Sequence, residues 1–200
     1  MVAQPSRQYV TVEEWRKLES RSHDIKHEYI DGQIYAMAGG SRAHSFVAVN
    51  MVTLLNAKFG AGPCIAYNSD AAVRLSPARY TYPDVTITCD ECDQATPDER
   101  EIQAPRVIVE VLSGSTEAYD RGEKFSFYRA CPTIQEYVIV TTRYQLVEVY
   151  RRTPDGWKEF QVYGPGDEIE LKSVNVRIPL AMLYRRTTVP QTLDAPDGEV

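Results

Sequence analysis

Glu110 poses the sharpest chemical question in this chain. It sits within Val107-Ile108-Val109-Glu110-Val111-Leu112, a run that is apolar on both alternating faces. Such a run reads as a central strand covered on both sides. An unpaired carboxylate there costs several kcal/mol even after relaxation. Compensation must come from an ion pair, hydrogen-bond donors, a metal or a shifted pKa. Two plainer alternatives stay open: a buried pair with an arginine, Arg74 or Arg121, or a strand-end register that turns the side chain to water.

Asp84 gains its interest from Glu110. In Pro83-Asp84-Val85-Thr86-Ile87 it shares a face with Thr86, the pattern of a half-solvated strand, and Asp after Pro is also common in turns. Two acids on consecutive strands can nevertheless converge on a hard cation. Magnesium takes one or two carboxylates, several waters and phosphate oxygens, with manganese as a substitute and the Val111 carbonyl as a further donor. Such a cation activates water and offsets charge on a scissile phosphate, which is the chemistry of phosphodiester cleavage. Lys124 is the third piece. It lies at helical i, i+4 spacing between Asp120 and Tyr128 and can reach back over the strand ends. On spacing alone, a surface Asp120–Lys124 ion pair is the better explanation.

The elements that must place these residues are legible as patterns. Thr11-Val12-Glu13-Glu14 is a capping box opening a helix to about Ser20. KHEYIDGQIYAM reads as a hairpin turned on Asp31-Gly32. From about Arg42 to Phe59, Ala48, Met51, Val52, Leu55 and Phe59 form a helical stripe whose inward face His44 extends. Strand-like runs follow at residues 64–76, 82–89 and 106–113, the last two separated by a polar loop over residues 90–103. A helix over residues 117–130 comes next. Strands at residues 136–142 and 145–152, and further β-structure at residues 157–163 and 168–180, complete the chain. The order predicts a mixed α/β domain with a central mixed sheet flanked by helices and extra C-terminal strands.

Length and composition fit one domain over residues 9–186, with residues 1–8 and 187–200 polar and frayed. Apolar residues make up 43% and charged residues 25%, and no apolar run approaches the roughly 20 residues of a membrane span. The N-terminus lacks a signal-peptide core, so a cytoplasmic protein is expected. The net charge of −6 argues against broad electrostatic capture of nucleic acid. It leaves room for a local basic rim built from Arg42, Arg74, Arg79, Arg106, Arg121 and Arg129, each of which a solvated surface also explains. Cys64, Cys89, Cys92 and Cys131 show no disulfide-framework spacing, and Cys89-x-x-Cys92 among acidic neighbours reads as plain reduced thiols.

Taken together, Pro83-Asp84, Glu110-Val111-Leu112-Ser113 with Ser115-Thr116, Asp120, Lys124, Tyr128 and Glu136-Tyr137 resemble the Uma-type endonuclease family of the PD-(D/E)XK superfamily. Glu28-Tyr29-Ile30-Asp31-Gly32 and His44 fit the same pattern, and the resemblance runs from about Tyr9 to Leu183. It implies a restriction-endonuclease-like fold, metal ligation by Asp84 and Glu110, and a lysine assisting the nucleophilic water. Leu112 stands where the commonest pattern has that lysine, and the family's own lysine matches Lys124. Glu28 becomes a further acid of the pocket, against an exposed hairpin carboxylate. His44 becomes a site candidate, against a satisfied core histidine. Arg121 becomes a phosphate contact, against a solvated helix face.

The resulting expectation is a Mg²⁺-dependent endonuclease acting on DNA, with a homodimer as a plausible assembly for cutting two strands. The competing readings are a catalytically inactive nuclease-fold module that binds nucleic acid or regulates, and a structural protein with a Glu110–arginine pair.

Overall fold

The computed structural model describes residues 9–22, 24–37, 39–95, 101–114 and 116–193. Ser115 of the motif, residues 1–8, and residues 194–200 of the frayed end expected over 187–200 lie outside them. The first elements are α1 (Val12–Arg21), β1 (His27–Ile30), β2 (Gln33–Ala36) and α2 (Arg42–Phe59). Thr11 caps α1 as its pattern predicts: its hydroxyl accepts from Glu14 N–H at 3.2 Å, and Glu14 accepts from Thr11 N–H at 2.8 Å. Asp31 and Gly32 take φ of 49° and 87°, the paired positive angles a tight hairpin turn requires, and so set Glu28 opposite Tyr35.

After α2 come β3 (Ile65–Asn68), β4 (Ala72–Ser76), β5 (Arg79–Thr81), β6 (Val85–Thr88), α3 (Glu91–Ala95), β7 (Glu101–Ile102) and β8 (Pro105–Val111). The helical stretch that follows is α4 (Glu117–Tyr119), a π-helical turn over Asp120–Lys124, and α5 (Phe125–Ala130). The chain ends with β9 (Glu136–Val140), β10 (Val147–Thr153), β11 (Gly156–Tyr163), β12 (Glu168–Leu171), β13 (Val176–Pro179) and α6 (Leu180–Leu183).

The main sheet has the order β11-β10-β9-β8-β6-β3, with β8 and β9 parallel and their neighbours antiparallel. The crossover between the two parallel strands is the helical stretch carrying Lys124. Along β8, Val107, Val109 and Val111 join the core beneath α2, α6 and the β12–β13 pair. Ile108 and Leu112 join the opposite core, with Phe127, Tyr128 and the second sheet's Val73 and Leu75. That second sheet runs β2-β1-β5-β4-β7. Trp15 of α1 stacks on Tyr29 and Tyr80 on its outer side. Both faces of β8 are therefore covered, as its apolar run predicts, and Glu110 alternates onto the face toward the second sheet.

Four expectations need correction. The run over residues 64–76 is two strands in different sheets, broken by a turn in which Asn68 O accepts from Ala71 N–H. The stretch over residues 90–103 contains α3 and β7, the latter pairing parallel with β4. Cys64 and Cys89 are joined in a disulfide rather than reduced. The β3–β6 register, Ile65 opposite Thr88, carries on to bring their Cα atoms to 4.0 Å, so the informative spacing is the strand register and not the CxxC motif. Packing also continues past residue 186: Val189 is buried in the main core, and Pro190 O accepts from Gln145 N–H. No helix among the described residues is long and apolar enough to cross a membrane.

Candidate active site

Glu110 is 4% exposed, near the C-terminal end of β8. Its Oε1 accepts from the Tyr128 hydroxyl at 2.6 Å and lies 2.9 Å from Lys124 Nζ. The ion-pair partner is therefore a lysine, not Arg74 or Arg121. Lys124 is itself buried and also meets Glu28 Oε1 at 3.1 Å and Asp120 Oδ1 at 3.8 Å. Glu28 is buried too, and its carboxylate accepts from the Tyr82 backbone N–H at 3.2 Å. The exposed-hairpin and surface-pair alternatives for Glu28 and Lys124 both fall on this burial.

The helix that presents Lys124 departs from the uniform α-helix expected. One widened turn over Asp120–Lys124 adds a residue to the helical path, an irregularity frequent at functional sites. In a plain α-helix, residues four apart drift around the axis, because four residues exceed the 3.6 of a turn. The wider turn offsets that drift, and Asp120, Lys124 and Tyr128 all end buried.

Asp84 lies immediately before β6. The register Val85 opposite Val109 sets it beside Glu110. Its Oδ2 accepts from Val111 N–H at 2.7 Å and is 3.1 Å from His44 Nε2. His44 sits in the first turn of α2, where the Ser41 hydroxyl accepts from its backbone N–H at 3.2 Å. Gly40 makes room for the ring: a Cβ there would come within 2.5 Å of His44 Nδ1. His44 is thus half-buried, with its Nε2 satisfied by Asp84 beside the acid pair.

These groups share one cavity of about 440 Å³, walled on its other side by Tyr35, Met37 and Tyr119. Arg121 does not reach it. All three of its guanidinium nitrogens are engaged by Glu117 and Glu148, at 2.7–2.9 Å. The basic rim does not form either. None of the six arginines named for it lines the cavity, and Arg79 instead pairs with Asp31 while Arg129 lies over Phe125.

Burial pushes the Glu110 carboxyl up to about 8, against the pull of Lys124 and helped by Asp84 and Asp120. Burial disfavours the Lys124 ammonium, but Glu110, Glu28 and Asp120 outweigh it and hold its pKa above the ordinary value. Burial raises Asp120 as well, and the Asp84 hydrogen bond raises His44. Four carboxylates (Glu28, Asp84, Glu110 and Asp120) thus face one lysine and one histidine.

The excess negative charge suits a divalent cation. Asp84 Oδ1 and Glu110 Oε2 accept no hydrogen bond among the described residues, and both residues border the cavity. No group of three or more His, Cys, Asp or Glu side chains forms a ready-made metal cage among the described residues. A magnesium site does not need one, because waters and substrate oxygens supply the balance. Sequence reasoning did not assign Tyr128 or Asp120 a place in the site, although their i±4 spacing from Lys124 was the available signal. Tyr82 acts through its backbone, which no side-chain pattern reveals.

The chain resembles known proteins along most of its length. A family model, Uma2, described as "Putative restriction endonuclease", matches residues 12–182. Two uncharacterized proteins of Synechocystis sp. are 40% identical over 174 residues, covering 86% of this chain and 90% of the relative, and 30% identical over 169 residues, covering 84% and 95%. Among solved structures, "a putative nuclease belonging to DUF820" from Anabaena variabilis superposes with a TM-score of 0.72 at 18% identity, over 88% of this chain and 97% of that one. The fold is restriction-endonuclease-like, and with the family model spanning nearly the whole domain, the chain belongs to the Uma2 family.

Proposed function

We propose that this protein is a Mg²⁺-dependent endonuclease that hydrolyses phosphodiester bonds of DNA, with Asp84 and Glu110 as metal ligands and Lys124 as the assisting lysine. The observation that carries the reading is the pair of carboxylates on adjacent strands. Each keeps one oxygen without a hydrogen bond among the described residues, and a buried ammonium lies 2.9 Å from Glu110 Oε1. His44 and the Val111 backbone border the same position and are candidates to complete it. A bound Mg²⁺ or Mn²⁺ would supply water activation and charge neutralisation at the phosphate.

The chain's own groups have distinct tasks. Lys124, held as ammonium by its carboxylates, serves as a hydrogen-bond donor and not as a base. It orients the attacking water and stabilises charge developing on the phosphate oxygens. Glu110 and Glu28 hold that ammonium in place, the Tyr128 hydroxyl steadies Glu110, and Tyr82 N–H fixes Glu28. Leu112 is no obstacle to this assignment, because only the position of the ammonium matters and the lysine stem is long and flexible.

The test is cleavage of plasmid and oligonucleotide DNA with Mg²⁺ or Mn²⁺. Chelation should abolish it, and Glu110→Gln and Asp84→Asn should each lower the rate by about 10³-fold or more. Undiminished cutting by either variant overturns the assignment. Binding without cutting would instead favour a nuclease-fold module that has lost turnover.

A further inference from the structure

The walls of the cavity speak to the form of the substrate. We infer that the site receives an unpaired nucleic-acid strand, with a nucleobase beside the scissile phosphate lodged against Tyr35. The inference rests on the nuclease reading above and adds to it what the substrate must look like.

Tyr35 stands on β2 directly across from Glu28, so both project from the same side of that hairpin into the cavity. Tyr35 is 47% exposed, although it lines the same cavity as the acids Glu28, Asp84 and Glu110. Met37 and the half-buried Tyr119 continue the same wall. A volume of about 440 Å³ falls within the range of small-ligand pockets, ~300–1,000 Å³. A flat exposed aromatic beside a phosphodiester-cleaving centre is the recurring platform for an unstacked base.

A second depression, of about 500 Å³, shares Met37, Gly39, Gly40, His44 and Asp84 with the first. Its wall mixes polar groups with apolar ones, among them the exposed side chains of Ile25 and Val49. His44 and Asp84 therefore border two concave, partly apolar spaces at once. A single strand crossing them can place one base in each.

Duplex DNA asks for a different surface. Its bases are stacked inward, and its affinity comes from lysines and arginines meeting rows of phosphates. Among the described residues, the cationic chains bordering the two depressions are Lys124, His44 and Lys26, and no arginine borders either one. Lys124 is enclosed by carboxylates, His44 faces Asp84, and Lys26 is paired with Asp70. What remains to attract substrate is aromatic and apolar surface, which a duplex keeps away from its bases.

The probe is a short single-stranded oligonucleotide carrying 2-aminopurine, bound to the full-length protein in calcium, with the matching duplex as comparator. The expected result is 2-aminopurine quenching on binding, tighter binding of the single strand than of the duplex, and a loss of about five- to tenfold in single-strand affinity for Tyr35→Leu. Tyr35→Phe, which keeps the ring, should retain wild-type affinity, and the exposure of Tyr35 makes both variants compatible with the fold. Duplex bound as tightly as the single strand, unchanged affinity in Tyr35→Leu, or binding of neither would overturn the inference. Binding with this pattern but without cleavage would retain the inference while the nuclease reading failed.

Discussion

Lys124 lies within 4 Å of three carboxylates, and that arrangement makes it the residue on which local stability turns. Removing it leaves Glu28, Glu110 and Asp120 buried without their counter-charge. Breaking a buried ion pair from one side costs about 3–5 kcal/mol. Lys124→Met should therefore lower the unfolding free energy by about that much at pH 8 and by clearly less at pH 5, where the acids can take up protons. Urea denaturation at the two pH values measures this, and an equal loss at both would show that charge is not the cause.

Glu110 sets a second pH dependence, with a definite sign. Its carboxyl titrates near 4.5 in the unfolded chain and at about 8 in the folded, metal-free protein. Between those values the folded state retains a proton that the unfolded state has released, so rising pH favours unfolding. His44 acts in the same direction. Its raised pKa gives stability that is full below 6.5 and fades as pH climbs through the folded value. Thermal melts in chelator should show stability falling from about pH 5 to pH 8, with Glu110→Gln flattening the slope. Stability rising across that window would contradict the electrostatics described for the site.

At the scale of elements, the π-helical turn is what brings Asp120, Lys124 and Tyr128 together. Deleting Gly122 should let the segment relax to an ordinary α-helix and rotate Asp120 out of line with Lys124. A misplacement of about 1 Å at a reacting centre can cost about 10²-fold in rate. The deletion should reduce cleavage by at least that factor while circular dichroism keeps its helical signal. Full activity would mean that the widened turn is incidental.

The elements also show what the sequence could reveal. The capping box at Thr11, the Asp31-Gly32 turn and the β8 run were readable because each depends on local chemistry or on a two-residue alternation. The inward placement of Lys124 was not readable from spacing, because i, i+4 spacing puts Asp120, Lys124 and Tyr128 on one face without saying whether that face turns inward or to solvent. The Cys64–Cys89 disulfide was hidden for a related reason. It follows from the pairing of β3 with β6, a register between segments distant in sequence, and not from any motif. Arg121 misled because a helical arginine beside the site is equally able to face outward, where Glu117 and Glu148 hold it.

At the scale of the whole molecule, the cavity lies where separately built parts converge. The second sheet supplies Glu28 and Tyr35, the main sheet supplies Asp84 and Glu110, the crossover helix supplies Lys124, and α2 supplies His44. A cation bound among them would tie those parts together and should raise global stability, by about 2.7 kcal/mol when present at a hundred times its dissociation constant. A thermal shift with Mn²⁺ that chelator reverses would report this.

The most direct measurement is anomalous scattering from crystals soaked in manganese. A peak within about 2–2.5 Å of Asp84 and Glu110 carboxylate oxygens is the predicted result. Saturating manganese with no density there, and with Lys124 still seated against Glu110, would contradict the account.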